Sequence, residues 1–169
     1  MSRAVLSLGS NIGDRAANLR GALATLRAAG ARVVAVSPVY VTAPWGGVEQ
    51  DDFLNAVVVV DDPASRPRDW LARARAAESR AGRTRDVRWG PRTLDVDVLD
   101  VDGTTDDDPE LTLPHPRAHE RAFVLVPWLA VDPNATIVGH GRVADLLTAL
   151  PADERDGVRR DEAVLEPGP

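Results

Sequence analysis

Apolar residues along the chain alternate between short runs and stripes at helical spacing. Ala4 to Leu8 is a short apolar run closed by Gly9, Ser10 and Asn11, and it predicts a buried strand. From Asp14 to Ala29 the spacing changes. Leu19, Leu23 and Leu26 recur at helical intervals, Asp14 suits the cap, and Gly30 stops the helix. Arg32 to Val36 reads as a strand that Ser37 and Pro38 interrupt. The stretch from Thr42 to Gly47 is too rich in backbone breakers for either regular state. Phe53 to Val60 is the clearest strand: Leu54, Ala56, Val58 and Val60 form one apolar face, and Phe53, Asn55 and Val57 the other. A second helix is predicted from Pro67 to Ala81, with Trp70, Leu71, Ala74 and Ala77 on one stripe and Gly82 past its end. Arg83 to Arg92 is a basic loop, and Leu94 to Val101 is another strand. Thr105 to Pro109 reads as an acidic turn, at a hairpin tip or a connection. Arg117 to Ala130 suits a third helix, Val143 to Leu150 a short last one, and residues from about 151 to 169 are expected to fray.

The order β-α-β-β-α-β with extra C-terminal elements is that of a ferredoxin-like α+β fold, an antiparallel sheet with helices on one face. No repeat or linker breaks the 169 residues, so one domain over 1–169 is expected. Net charge is −6, which offers no general attraction to nucleic acid or anionic lipid. All 20 positive side chains are arginine, and the missing lysine excludes a Walker-type phosphate loop. Absence of cysteine excludes disulfides, thiolate chemistry and sulfur-ligated metals. No apolar stretch has the length of a signal peptide or a membrane span, so a cytoplasmic location is the expectation; a monomer acting on small molecules, with no nucleic acid or membrane partner, is expected beside it.

The segment RWGPRTLDVD over residues 88–97 carries the most chemistry. Asp95 and Asp97 are two apart on a strand, so both carboxylates leave the same side of the sheet. Such a pair suits a magnesium ion, which takes hard oxygen ligands and keeps waters alongside substrate phosphates. Taken alone, the spacing also fits a solvated strand face in an Asp-rich chain. Arg83, Arg85, Arg88 and Arg92 precede the pair, and guanidinium forks grip phosphate oxygens; a solvated charged loop is the plainer alternative. Trp89 beside Gly90 and Pro91 suggests a flap that shuts over a ligand. His115 stands between Pro114 and Pro116 and suits donation to a phosphate, whereas His119 and His140 read as ordinary surface residues. The run from Gly9 to Gly13 resembles a phosphate cradle but is better explained as a turn plus helix cap.

Five blocks in order resemble the 6-hydroxymethyl-7,8-dihydropterin pyrophosphokinases: LGSNIGD at 8–14, SPVYVT at 37–42, FLNA at 53–56, RWGPRTLDVD at 88–97 and LTLPHPRAHERAF at 111–123. The resemblance covers roughly residues 4 to 133 and implies the ferredoxin-like fold read from the element order. It implies that Asp95 and Asp97 bind two magnesium ions bridging the phosphates of ATP. Phe53 and Phe123 would sandwich the pterin, Asn55 would bond its edge, and Thr42, Ala43 and Trp45 would complete that recognition. Arg83 and Arg92 would hold the transferring diphosphate, with His115 and Arg121 on the phosphates. Glu78, Arg85, Arg88, Trp89, Val98 and Thr112 would line the nucleotide side. Ala43 and Trp45 stand where the family is familiar with proline and leucine, and Arg75 where a glutamine serves the adenine.

The implied reaction is in-line attack by the pterin hydroxymethyl oxygen on the β-phosphorus of ATP, expelling AMP. Three rivals use parts of the same pattern. A nucleic-acid-binding module would need stacked aromatics on a basic sheet, whereas aromatics here are 4% of residues. A metal-dependent phosphohydrolase would use the same acids and arginines, and a non-catalytic pterin or nucleotide binder would use the same pocket.

Overall fold

A computed structural model describes residues 2–44, 49–82 and 93–166. Strand β1 (Arg3–Ser10) leads into helix α1 (Arg15–Ala28), then β2 (Arg32–Val36), β3 (Tyr40–Thr42) and β4 (Phe53–Asp61). Helix α2 (Pro67–Arg80) precedes β5 (Asp95–Val101), β6 (Asp106–Asp108), β7 (Leu111–Leu113) and a 3-10 turn over Ala118–Glu120. Helix α3 (Ala122–Val131), β8 (Thr136–Ile137), β9 (Gly141–Arg142), α4 (Val143–Ala149), α5 (Ala152–Asp156) and β10 (Arg159–Arg160) follow. The main sheet runs β10-β3-β4-β1-β5, with β2 also on β4, and its pairings are antiparallel.

Local chemistry sets the element ends. The Asp14 carboxylate accepts the Ala17 N–H at 3.0 Å, satisfying one of the amides left over at the start of α1. Asp69 accepts the Arg66 N–H at 2.7 Å at the start of α2, where Pro67 occupies the first turn. Pro38 cannot donate to the ladder, so β2 stops. Ser37 bridges the gap by pairing its N–H with the Val57 carbonyl and accepting the Val57 N–H on its Oγ, both at 2.9 Å.

Period-2 alternation sorts β1, β4 and β5 into two faces. Leu6, Leu8, Ala56, Val58, Val60, Val96 and Val98 form one core with Leu19, Leu23, Leu26 and Trp70 of α1 and α2. Trp70 is fully buried and donates its indole N–H to Ser2 Oγ at 2.8 Å. The opposite face is covered too, which corrects the expectation of helices on one face. Val57 and Leu99 pack there with Val124, Leu125 and Trp128 of α3 and with Val143. At Leu99 the register with β1 slips, so Val98 and Val101 both face α1 and α2 while Leu99 turns to α3.

Three further expectations change. The helix predicted over 117–130 is split: the 3-10 turn ends at Arg121, whose extended backbone caps the later start of α3. Asp106–Asp108 is itself a strand of a hairpin with Leu111–Leu113, and Arg68 is ion-paired with Asp108. The C-terminal stretch is packed rather than frayed through Glu166. β10 pairs with β3, Leu165 is buried in the core, Arg20 donates to the Val164 carbonyl, and Arg27 pairs with Glu166. Among the described residues, no helix is long and apolar enough to cross a membrane.

Candidate active site

The polar end of the α3-side sheet face is assembled by strand register. Gly9 of β1 lies between Asn55 of β4 and Asp95 of β5, and Ser7 lies between Val57 and Asp97. Phe53 and Asn55 share this face by parity, as do Asp95 and Asp97. The central strand contributes almost no side chain here. A Cβ built on Gly9 would stand 3.2 Å from Asn55 Oδ1 and 3.6 Å from Phe53 Cδ1, so glycine keeps the floor open between the acids and the aromatic side. This role is missing from the sequence reading, which ends the strand at Leu8. The available signal is a glycine directly continuing an apolar run, which marks close approach as well as a turn.

The Asn55 side chain is buried and donates from Nδ2 to Thr42 Oγ1 at 2.8 Å, while Thr42 sits opposite Phe53 in the β3–β4 ladder. Phe123, in the first turn of α3, is partly buried against the core on the same side of the sheet, with the Arg121 guanidinium 5.6 Å from its ring centre.

On the acidic side, Arg121 Nη1 and His115 Nε2 stand 3.8 and 3.9 Å from Asp97 Oδ2. His115 is held by its main chain, which donates to the Leu99 carbonyl at 2.9 Å. Its Nδ1 accepts the Arg117 N–H at 3.2 Å, which leaves Nε2 as the protonated nitrogen facing the acids. Burial, followed by the Arg121 charge, pushes the imidazole down to about 4, so near neutrality it is an uncharged donor.

Asp95 and Asp97 offer hard oxygens on one open face, which fits magnesium. Among the described residues no group of three or more potential ligands converges. An ion held here would therefore complete its shell with water and substrate phosphates, as magnesium commonly does.

The remaining predicted residues lie around this floor or outside the described stretches. Val98 is buried in the core on the α1–α2 side, so only its backbone is left for a ligand. Glu78 is buried beneath β5, where its Oε2 accepts the Val96 N–H at 3.4 Å. Thr112 is half-buried and donates to the Asp108 carbonyl, and Arg75 pairs with Glu110 at 3.8 Å on the same hairpin. Ala43 follows β3. Trp45, Arg83, Arg85, Arg88, Trp89 and Arg92 lie outside the described residues. His119 and His140 are not independent surface residues: their rings stack at 3.9 Å between centroids.

Comparison with known proteins places this arrangement. Residues 5–133 match the family model for 7,8-dihydro-6-hydroxymethylpterin-pyrophosphokinase (HPPK). The 2-amino-4-hydroxy-6-hydroxymethyldihydropteridine pyrophosphokinase of Mycobacterium tuberculosis is 52% identical, the alignment covering 94% of this chain and 89% of that one. The same enzyme of Mycobacterium leprae is 53% identical, covering 98% and 92%. A crystal structure of Plasmodium falciparum HPPK-DHPS wild type with pteroate superposes with a TM-score of 0.69 at 14% identity, a likeness of fold. That match covers 87% of this chain, which spans only 44% of the Plasmodium chain. The structure is thus a mixed α/β protein with an antiparallel sheet that carries polar side chains at one end of its α3-side face. The chain belongs to the 7,8-dihydro-6-hydroxymethylpterin-pyrophosphokinase family.

Proposed function

We propose that this protein transfers the diphosphate of ATP to 6-hydroxymethyl-7,8-dihydropterin, yielding AMP and the pterin diphosphate for folate biosynthesis. The observation that carries the reading is the pair of strand rows Asn55–Gly9–Asp95 and Val57–Ser7–Asp97, which sets a buried amide and two carboxylates on one floor. Membership of the family supplies the reaction class.

Phe53 and Phe123 are assigned to stack on the two faces of the pterin, with Asn55, oriented by Thr42, bonding its edge and Ala43 and Trp45 completing the pocket. Asp95 and Asp97 are assigned to hold two magnesium ions with ATP, which would supply charge neutralisation on the phosphates. His115 donates a neutral N–H and Arg121 a fixed positive charge, both aimed at the space beside Asp97. Arg83 and Arg92 are assigned to the transferring diphosphate, and Glu78, Arg85, Arg88, Trp89, Val98 and Thr112 to the nucleotide side. The strand order β5-β1-β4-β2 supports a ferredoxin-like arrangement, elaborated at the C-terminus. A single domain, a monomer and a cytoplasmic location complete the reading.

Incubation with ATP, magnesium and the pterin alcohol is expected to yield AMP and pterin diphosphate in equal amounts. ADP with free phosphate would assign a hydrolase instead, and pterin binding without turnover a non-catalytic binder.

A further inference from the structure

The run after β1 turns the chain and leads into the Asp14 cap of α1, and it also reaches β4. Asn11 is almost completely buried, and its Nδ2 donates to Gln50 Oε1 at 2.8 Å and to the Asp51 carbonyl at 2.9 Å. Arg15, one helical turn on, donates from Nη1 to the Asp52 carbonyl at 2.9 Å. Three consecutive residues, 50 to 52, are therefore held from the end of β1 and the start of α1, directly before Phe53 begins β4. The anchor is itself braced: Asn18 donates from Nδ2 to Ser10 Oγ at 3.1 Å and to the Ile12 carbonyl at 2.9 Å.

We infer that Asn11 is a positioning residue for the pterin substrate: by holding Gln50 and Asp51 it sets where the chain enters β4, and hence where Phe53 and Asn55 stand. A buried amide that bonds both a side chain and a main-chain carbonyl forty residues away is a stiff link, because leaving either donor unmet inside the protein is unfavourable. On the β1 side Phe53 is flanked by Gly9, which has no side chain to steady the ring. Small displacements of a stacking ring or an edge-bonding amide are felt strongly in binding and orientation. The bonds to Gln50 and Asp51 lie at the entry to β4, so the effect is expected on the pterin, with ATP binding close to that of the wild type.

This inference rests on the pyrophosphokinase reading, so the experiment has one arm that does not. Asn11→Ala removes the link at its buried end; Gln50→Ala removes it from the partly exposed end and keeps the question open if the first variant does not fold. Hydrogen exchange of residues 49–53 is measured in both variants together with KM for the pterin and for ATP. The expected result is faster exchange of 49–53, pterin KM raised about tenfold and ATP KM within about twofold, the size of a lost hydrogen bond. Unchanged exchange overturns the anchor whether or not the wild-type protein turns over. Faster exchange with equal shifts in both KM values gives Asn11 a merely structural role and also overturns the inference. Absence of wild-type turnover would instead sink the pyrophosphokinase reading, leaving the exchange arm to decide the anchor.

Discussion

The two faces of the sheet use the same three strands to opposite ends. On the α1–α2 face, β1, β4 and β5 present an unbroken apolar surface from Val101 and Val60 to Leu8 and Leu54. On the α3 face the pattern is graded. Val57 and Leu99 are sealed by Trp128 and Leu125, but toward the other end apolar residues give way to Ser7, Gly9, Asn55, Asp95 and Asp97. One face therefore stabilises, while the other stabilises over half its length and is polar over the rest. The bulge at Leu99 lies at the changeover, and its carbonyl is the one that holds His115.

The sharpest way to break this contrast is to damage each face separately. Leu6→Ala, in the sealed face, is expected to lower unfolding free energy by about 3 kcal/mol with kcat per folded molecule unchanged. Denaturant unfolding beside active-site-normalised kinetics checks it, and a loss of kcat would mean that the two faces are coupled. Phe53→Ala, in the open face, should do the reverse: pterin affinity falls by about 2 kcal/mol, roughly thirtyfold, with little change in Tm. Pterin fluorescence titration reads this directly. Gly9→Ala is a finer probe, since its new methyl meets Asn55 Oδ1 and Phe53; pterin KM should rise about tenfold. A variant with wild-type KM would show that Asn55 yields without consequence.

The smallest effect lies far from the cleft. Arg73, then the Ser65 hydroxyl and the Ala64 N–H, hold the Asp62 carboxyl down to about 2. A depressed carboxyl stabilises the fold above its unfolded pKa of 3.8, and that stabilisation disappears as pH falls toward 2. Asp62→Asn should therefore lower stability slightly at neutral pH and flatten its acid dependence, with activity untouched. An acid unfolding curve identical to wild type would count against the pair.

Much of the sealed face was legible because it depends on local periodicity. Leu54, Ala56, Val58 and Val60 alternate, and Leu19, Leu23 and Leu26 repeat at helical spacing, so each element announces its buried side. The same parity placed Phe53 with Asn55 and Asp95 with Asp97. What escaped depends on distant partners. Gly9 and Ser10 look like a turn until β4 pairs with both of them and β5 with Gly9. Residues 159–160 are charged and short, and become a strand only because β3 offers an edge. The extended Arg121 that separates the 3-10 turn from α3 leaves no mark in an apolar pattern running through both.

The fate of the β-phosphorus separates transfer from hydrolysis most directly. ATP labelled at that atom is followed in single turnover with the pterin alcohol, in the wild-type protein and in the Asp95→Asn, Asp97→Asn double variant. The label is expected to leave with the pterin in the wild type, with AMP as the other product, and the folded double variant is expected to transfer none. Label retained in ADP, or transfer persisting at the wild-type rate without the two carboxylates, would contradict this expectation.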